Sequence, residues 1–217
     1  MTNGSRTEME RIVDKVLLLR LIRSAQGRGR LVTIPLHKLV FLSEHRMNGK
    51  RAKGFNYAFY RDRFGPAAPG IYDDFGELID AGLIRDCPFR LTSAGEELLE
   101  GLEPAFRRNG NRLFSGIIGE IARDTPLDIR PIKELVYKMS VTLPDGTVKK
   151  VSEVPFRPNK KILMMRKLGA GDFREAFTLE EGEVETFEMM MDSELRDSIR
   201  RAEDDARGGR ISARHPV

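Results

Sequence analysis

The stretch FGPAAPGIYDDFGELIDAGLI, Phe64 to Ile84, decides how this chain is read. Gly65-Pro66 turns the backbone. Ile71, Tyr72, Phe75, Leu78 and Ile79 then recur at helical spacing, which predicts a helix with those five residues toward the core. Gly82 stops the helix, and Leu83-Ile84 starts a strand. The same helix carries Asp73, Asp74, Glu77 and Asp80 and no Lys or Arg.

Working outward, Met9 to Ala25 places Ile12, Val13, Val16, Leu17, Leu19, Leu21 and Ile22 on a helix with a broad apolar face. Gly27 and Gly29 break it. Pro35 to about Met47 predicts a second helix with a stripe of Leu36, Leu39, Val40 and Phe41, ended by Asn48-Gly49. In GFNYAFYRDRFGP, Phe55, Tyr57 and Phe59 alternate with Asn56, Ala58 and Tyr60, which predicts a strand. Downstream, Leu83, Ile84, Phe89 and Leu91 predict two short strands around Asp86-Cys87-Pro88. Ser93 with Glu96 fits a capping box for a helix running to about Leu102. Helix, helix, strand, helix, hairpin, helix is the winged-helix order. The expected fold class is mostly α with a small β component (α+β), a winged-helix-like N-terminal domain with an added C-terminal segment.

That domain is expected over residues 8–139, completed by helices through Leu113, Ile117, Ile118 and Ile121 and from Pro131 to Met139. Residues 140–180 read as an irregular, β-containing connector, with a turn at Leu143 to Gly146 and a strand in TVKKVSEV; KKILMMRKL fits strand or helix. Residues 181–217 read as a helical tail. One helix holds Val184, Phe187 and Met191; Asp192 caps a second with a narrow stripe of Leu195, Ile199, Ala202 and Ala206.

The 217 residues suffice for one ordinary core plus an appendage. No apolar run predicts a membrane span and no apolar leader follows the first methionine, so a cytoplasmic location is expected. A single cysteine, Cys87, excludes an internal disulfide. Charge is laid out unevenly. Arg11 to Arg63 holds thirteen Lys/Arg against three acids, whereas Glu181 to Val217 holds six Arg against ten acids. A basic front and an acidic tail can attract each other or meet different partners.

Catalytic signals are weak. His37 and His45 lie eight apart, wider than a zinc pair needs, and His215 sits near the C-terminus. Cys87 has no identifiable base, and Gly169-x-Gly171 is too short for a dinucleotide fingerprint. No enzyme, catalytic residue, metal or cofactor is expected. Binding is the better reading. Arg28, Arg30, Lys50, Arg51, Lys53, Arg61 and Arg63 could track phosphates of operator DNA, but the helix that normally enters the groove is the acidic one. The tail suits a protein groove: Phe187, Met190, Met191, Leu195 and Ile199 as anchors, with Arg210 and Ile211 beyond them. A homodimer is a further option.

Four strings in this order resemble the Panacea, or SocA-like, antitoxin family and its YwgA-like relatives: HKLVFLSE, FNYAFYRDRFGP, IYDDFGELIDAGLI and FRLTSAGEELL. The resemblance runs from about Val16 to Leu102. DSELRDSIRRAEDDARGGRIS is similar to the C-terminal toxin-neutralising tails of bacterial type II antitoxins, through Asp192 to Leu195 and Gly209 to Ser212. Together they imply direct binding and neutralisation of a cognate, co-encoded toxin, or adaptor work for a protease, and no catalysis. Lys50-Arg51-Ala52-Lys53 is more basic than the family's usual segment, and residues 140–180 have no counterpart in it.

Overall fold

A computed structural model describes residues 6–143, 145–156 and 173–207. They are mostly helical, with four small two-stranded ladders, an α-dominant α+β fold. Helix α1, Glu8–Ala25, lies at the centre. Its residues are buried nearly all round from Ile12 to Ile22, including Asp14 and Lys15. A helix surrounded on every side needs apolar residues on every side, hence its broad apolar face. Thr7 caps it: Thr7 Oγ1 accepts from the Glu10 amide, and the Glu10 carboxylate accepts from the Thr7 amide.

Helix α2 spans Thr33–Gly49. Strand β1, Ala52–Lys53, follows, then hairpin β2, Tyr60–Asp62, with β3, Gly65–Ala67. Helix α3, Pro69–Asp80, leads to hairpin β4, Ile84–Arg85, with β5, Arg90–Leu91, and to helix α4, Ser93–Gly101. Helices α5, Glu103–Arg107, α6, Arg112–Asp124, and α7, Ile129–Tyr137, close the first part of the chain. Hairpin β6, Ser140–Thr142, with β7, Val148–Lys150, packs near α7, with Val151 and Val154 buried behind it. Strand β8, Glu175–Ala176, returns to pair in parallel with β1. Helices α8, Glu181–Met191, and α9, Ser193–Arg207, follow. One hydrophobic cluster runs from α1 through Val141, Val151, Phe177 and Phe187. The described residues of the 140–180 segment and α8 therefore share the core of the first part. KKILMMRKL lies outside the described residues.

Three local expectations are corrected. Phe55 to Ala58 is extended with Phe55 and Tyr57 buried but joins no ladder; the expected strand is realised only at its end, where Phe59 makes a single bridge and Tyr60 opens β2. Two of the unladdered amides go to carboxylates: Phe55 N donates to Glu44 at 2.9 Å and Asn56 N to buried Asp14 at 2.7 Å. Thr92, not Ser93, caps α4, its Oγ1 accepting from Gly95 N at 3.1 Å. A Cβ on Gly95 would stand 2.1 Å from the Leu83 carbonyl oxygen, so the close approach of α4 to the β4 strand requires glycine there. Tyr72 is 55% exposed and leans on the His37 ring, tilted to it with centroids 4.5 Å apart, outside the core expected for it.

The acidic helix α3 is anchored by charge. Arg6 forks onto Asp74 through Nη1 at 2.6 Å and Nη2 at 3.1 Å, and Nη1 also reaches Asp14 at 2.8 Å. Tyr57 Oη donates to Asp74 at 2.5 Å, and the guanidinium stacks on the Tyr57 ring. Glu77 pairs with Lys15 of α1. Asp74 and Glu77 thus bind α3 to its own domain, leaving Asp73 and Asp80 exposed.

Two predictions follow from this clamp. Arg6→Ala strands two buried carboxylates and should lower stability by about 3–5 kcal/mol in urea unfolding at pH 7. Burial, with Asp74 nearby, raises the Asp14 carboxyl from 3.8 to about 7 although Arg6 and the Asn56 amide oppose it. A raised folded-state value gives stability that is full below 3.8 and lost as pH rises through about 7. Urea midpoints from pH 4 to 8 should therefore fall in the native chain relative to Asp14→Asn; parallel profiles would refute this assignment.

Candidate partner-binding surface

The route to α8 is pinned before the helix begins. Phe177 sits between Phe106 and Phe114, with ring centroids 5.3 and 5.7 Å away. Buried Asn111 holds Thr178 from both sides: Nδ2 donates to the Thr178 carbonyl at 2.7 Å, and Oδ1 accepts from the Thr178 amide at 3.1 Å. Glu180 and Glu183 form a capping box, and Arg108 pairs with both carboxylates. Helix α8 then lies against α4, with Phe187 and Met190 in the core and Val184 and Met191 packed at its margin.

Asp192 is extended and separates the two helices. Its Oδ1 accepts from Leu195 N at 2.9 Å, the capping role read for it. Helix α9 is different in kind: none of its residues is buried. It is held by charge. Arg196 donates to the carbonyls of Met190 at 2.5 Å and Ala81 at 2.9 Å, and Arg200 meets Glu97 of α4 at 3.4 Å. Gly82 N in turn donates to Ile79 O; with φ +67°, Gly82 makes the tight exit from α3 that sets the Ala81 carbonyl free for Arg196. Along α9, Leu195 is 45% and Ile199 37% exposed, and Ala202 and Ala206 continue the stripe in the open.

The expected partner anchors therefore divide. Phe187 and Met190 belong to the chain's own core, because the α8 face that carries them closes over α4; a partner could reach them only by displacing α8. Met191 is half-buried against that core. Leu195 and Ile199 are open. Arg210 and Ile211 lie outside the described residues.

The basic residues fall into three places. Arg28 and Arg30 are exposed in the α1–α2 loop, where Arg28 donates to the Thr125 carbonyl at 3.4 Å. Lys50 and Arg51 are exposed at the end of α2, while Lys53 pairs with Glu10 at 2.7 Å. Arg61 lies over the Tyr137 ring and Arg63 over Phe64, at the β2–β3 hairpin. The exposed positions of α3 are Pro69, Tyr72, Asp73, Glu77 and Asp80, with no base among them.

A buried polar feature lies beneath that hairpin. Lys38, 2% exposed, donates from Nζ to the Pro66 carbonyl at 2.6 Å, which fastens the Gly65-Pro66 turn to α2. Burial pulls its ammonium down to about 7. Beside it His37, lowered to about 4 by burial and by Lys38, has Nε2 buried without a hydrogen bond. The lysine in HKLVFL gives no sign of this in sequence, because helical spacing alone places it no differently from a surface lysine. Among the described residues, no three His, Cys, Asp or Glu side chains converge as metal ligands, and no helix is long and apolar enough to cross a membrane.

Comparison with protein-family models, with curated proteins and with solved structures returns no match. The geometry itself supplies one open apolar stripe, on α9.

The two tail helices should respond oppositely to truncation. Phe187→Ala should lower stability by about 3–5 kcal/mol. Ile199→Ala should change it by less than about 0.5 kcal/mol. Thermal or urea unfolding of the two variants checks the division.

Proposed function

We propose that this chain is an antitoxin-like protein-binding module of the Panacea type, which neutralises a cognate, co-encoded toxin by direct contact or presents a partner to a protease. The observation that supports this reading is the exposed apolar stripe of α9, fixed to the body by Arg196 and Arg200 rather than buried in it. A helix so placed offers i, i+4, i+7 anchors to a groove without unfolding anything else. Leu195 and Ile199 are the principal anchors, each contributing about 1.5–3 kcal/mol when fully buried, before ordering costs. Arg210 and Ile211 would extend the same contact, and Met191 lies at its border. Phe187 and Met190 support it from beneath.

A second reading, a DNA-binding regulator, draws on the exposed Arg28, Arg30, Lys50, Arg51 and Arg63. It would require docking through loops, since α3 shows acids to solvent. Such binding would weaken steeply with salt. Both readings can hold for one chain.

None of residues 193–207 is buried, so a chain ending at Asp192 should fold. Co-expressed with the neighbouring reading frame, it should lose both partner capture and rescue of growth. The double variant Leu195→Asp/Ile199→Asp should lower capture at least about tenfold. Capture and rescue undiminished in both would defeat the proposal.

A further inference from the structure

We infer that the stripe on α9 is covered, in the protein without its partner, by α9 of a second copy running antiparallel. This does not rest on the antitoxin reading; it follows from the order of residues on the helix. Leu195, Ile199, Ala202 and Ala206 are spaced four, three and four apart, the alternation of a two-stranded helical seam. Their volumes taper: two large residues come first, two small ones after. A parallel pair would set Leu195 on Leu195 and Ala206 on Ala206, crowding one end and leaving the other unfilled. An antiparallel pair sets Leu195 against Ala206 and Ile199 against Ala202. Every layer then matches large with small, as a close-packed seam requires. Both matches share one two-fold axis, between Arg200 and Arg201, and those two arginines point away from the seam.

Charge agrees with this direction. Arg196 and Glu203 each follow a stripe residue on the same flank; Arg196 donates to two neutral carbonyls of its own chain and keeps its charge, and an antiparallel pair brings Glu203 of the other copy, held by its own Arg207 at 3.7 Å, toward that charge, twice by symmetry. On the opposite flank Ser198 meets Asp205, which adds no repulsion. A parallel pair would bring Glu203 to Ser198 and form no ion pair. Placement agrees too. At 100° per residue, the stripe stands about a quarter-turn round the helix from Arg196, which faces the body. Leu195 and Ile199 therefore look sideways past the body and are reachable by another helix. A 15-residue helix is about 22 Å long. A seam that short is at the low end of interface sizes, so the pair should be weak, with a Kd on the order of 10–100 µM. A toxin or other partner taking the stripe would have to open it.

Sedimentation velocity of the full chain, from about 1 to about 200 µM at low salt, tests the pairing. The mass should climb from 24.6 kDa toward twice that value. Ile199→Asp, at a position outside the core, should abolish the rise, and Glu203→Arg should weaken association about tenfold by setting Arg against Arg. Direction is read by cross-linking in a Cys87→Ser background, because Cys87 is an exposed free thiol. Leu195→Cys mixed with Ala206→Cys should form a disulfide-linked pair, and neither variant alone should. A chain monomeric throughout, a dimer indifferent to Ile199→Asp, or self-linking of Leu195→Cys alone would each overturn the inference. A monomer that still captures its partner through residues 193–207 would overturn it while leaving the proposed function standing.

Discussion

Two carboxylates share one guanidinium at the junction of α1, α3 and the extended segment between β1 and β2. Asp14 and Asp74 are both essentially buried, and neither would be tolerated there alone. Arg6 joins them, Tyr57 donates to one and Asn56 to the other. Asp74 is turned inward by this arrangement, and α3 is oriented by it. The hairpin after α3, the close approach of Gly95 to Leu83 and the Ala81 carbonyl that receives Arg196 all take their positions from α3. The route from a buried ion triad to the exposed tail therefore passes through one helix.

That route explains why charge on α3 is a poor guide to what α3 touches. In sequence the acids of α3 can face solvent, the basic front of the same domain or a basic partner, and the structure gives Asp74 to Arg6 and Glu77 to Lys15. The helix presents Pro69, Tyr72, Asp73, Glu77 and Asp80 outward, a face with acids and no base that repels phosphates.

Most helices were legible, because apolar spacing and punctuation by Gly and Pro are local signals. The α8–α9 break at Asp192 was legible for the same reason. The aromatic alternation from Phe55 to Tyr60 gave a strand only at its Phe59–Tyr60 end, since alternation reports only that an extended chain buries every second residue. Whether its amides meet another strand or a carboxylate depends on Glu44 and Asp14, which lie 11 and 42 residues away in sequence. The division of the tail was hidden in the same way. Phe187 and Leu195 look alike on a helical wheel, and only the packing of α8 against α4 separates them. Lys38 is a further case: one carbonyl at the Gly65-Pro66 turn makes a buried structural residue of what reads as a surface lysine.

The extended Asp192 joint separates two kinds of sequence freedom. On its α8 side, a substitution disturbs a core shared with α1, α4 and α6. On its α9 side, fifteen residues can be exchanged while the fold keeps nearly all its stability. Under the proposed function, a chain built this way would change what it recognises by rewriting one short helix, much as an interchangeable tip is fitted to a fixed handle. Diversification among partners would then require neither a new domain nor compensation within the old one.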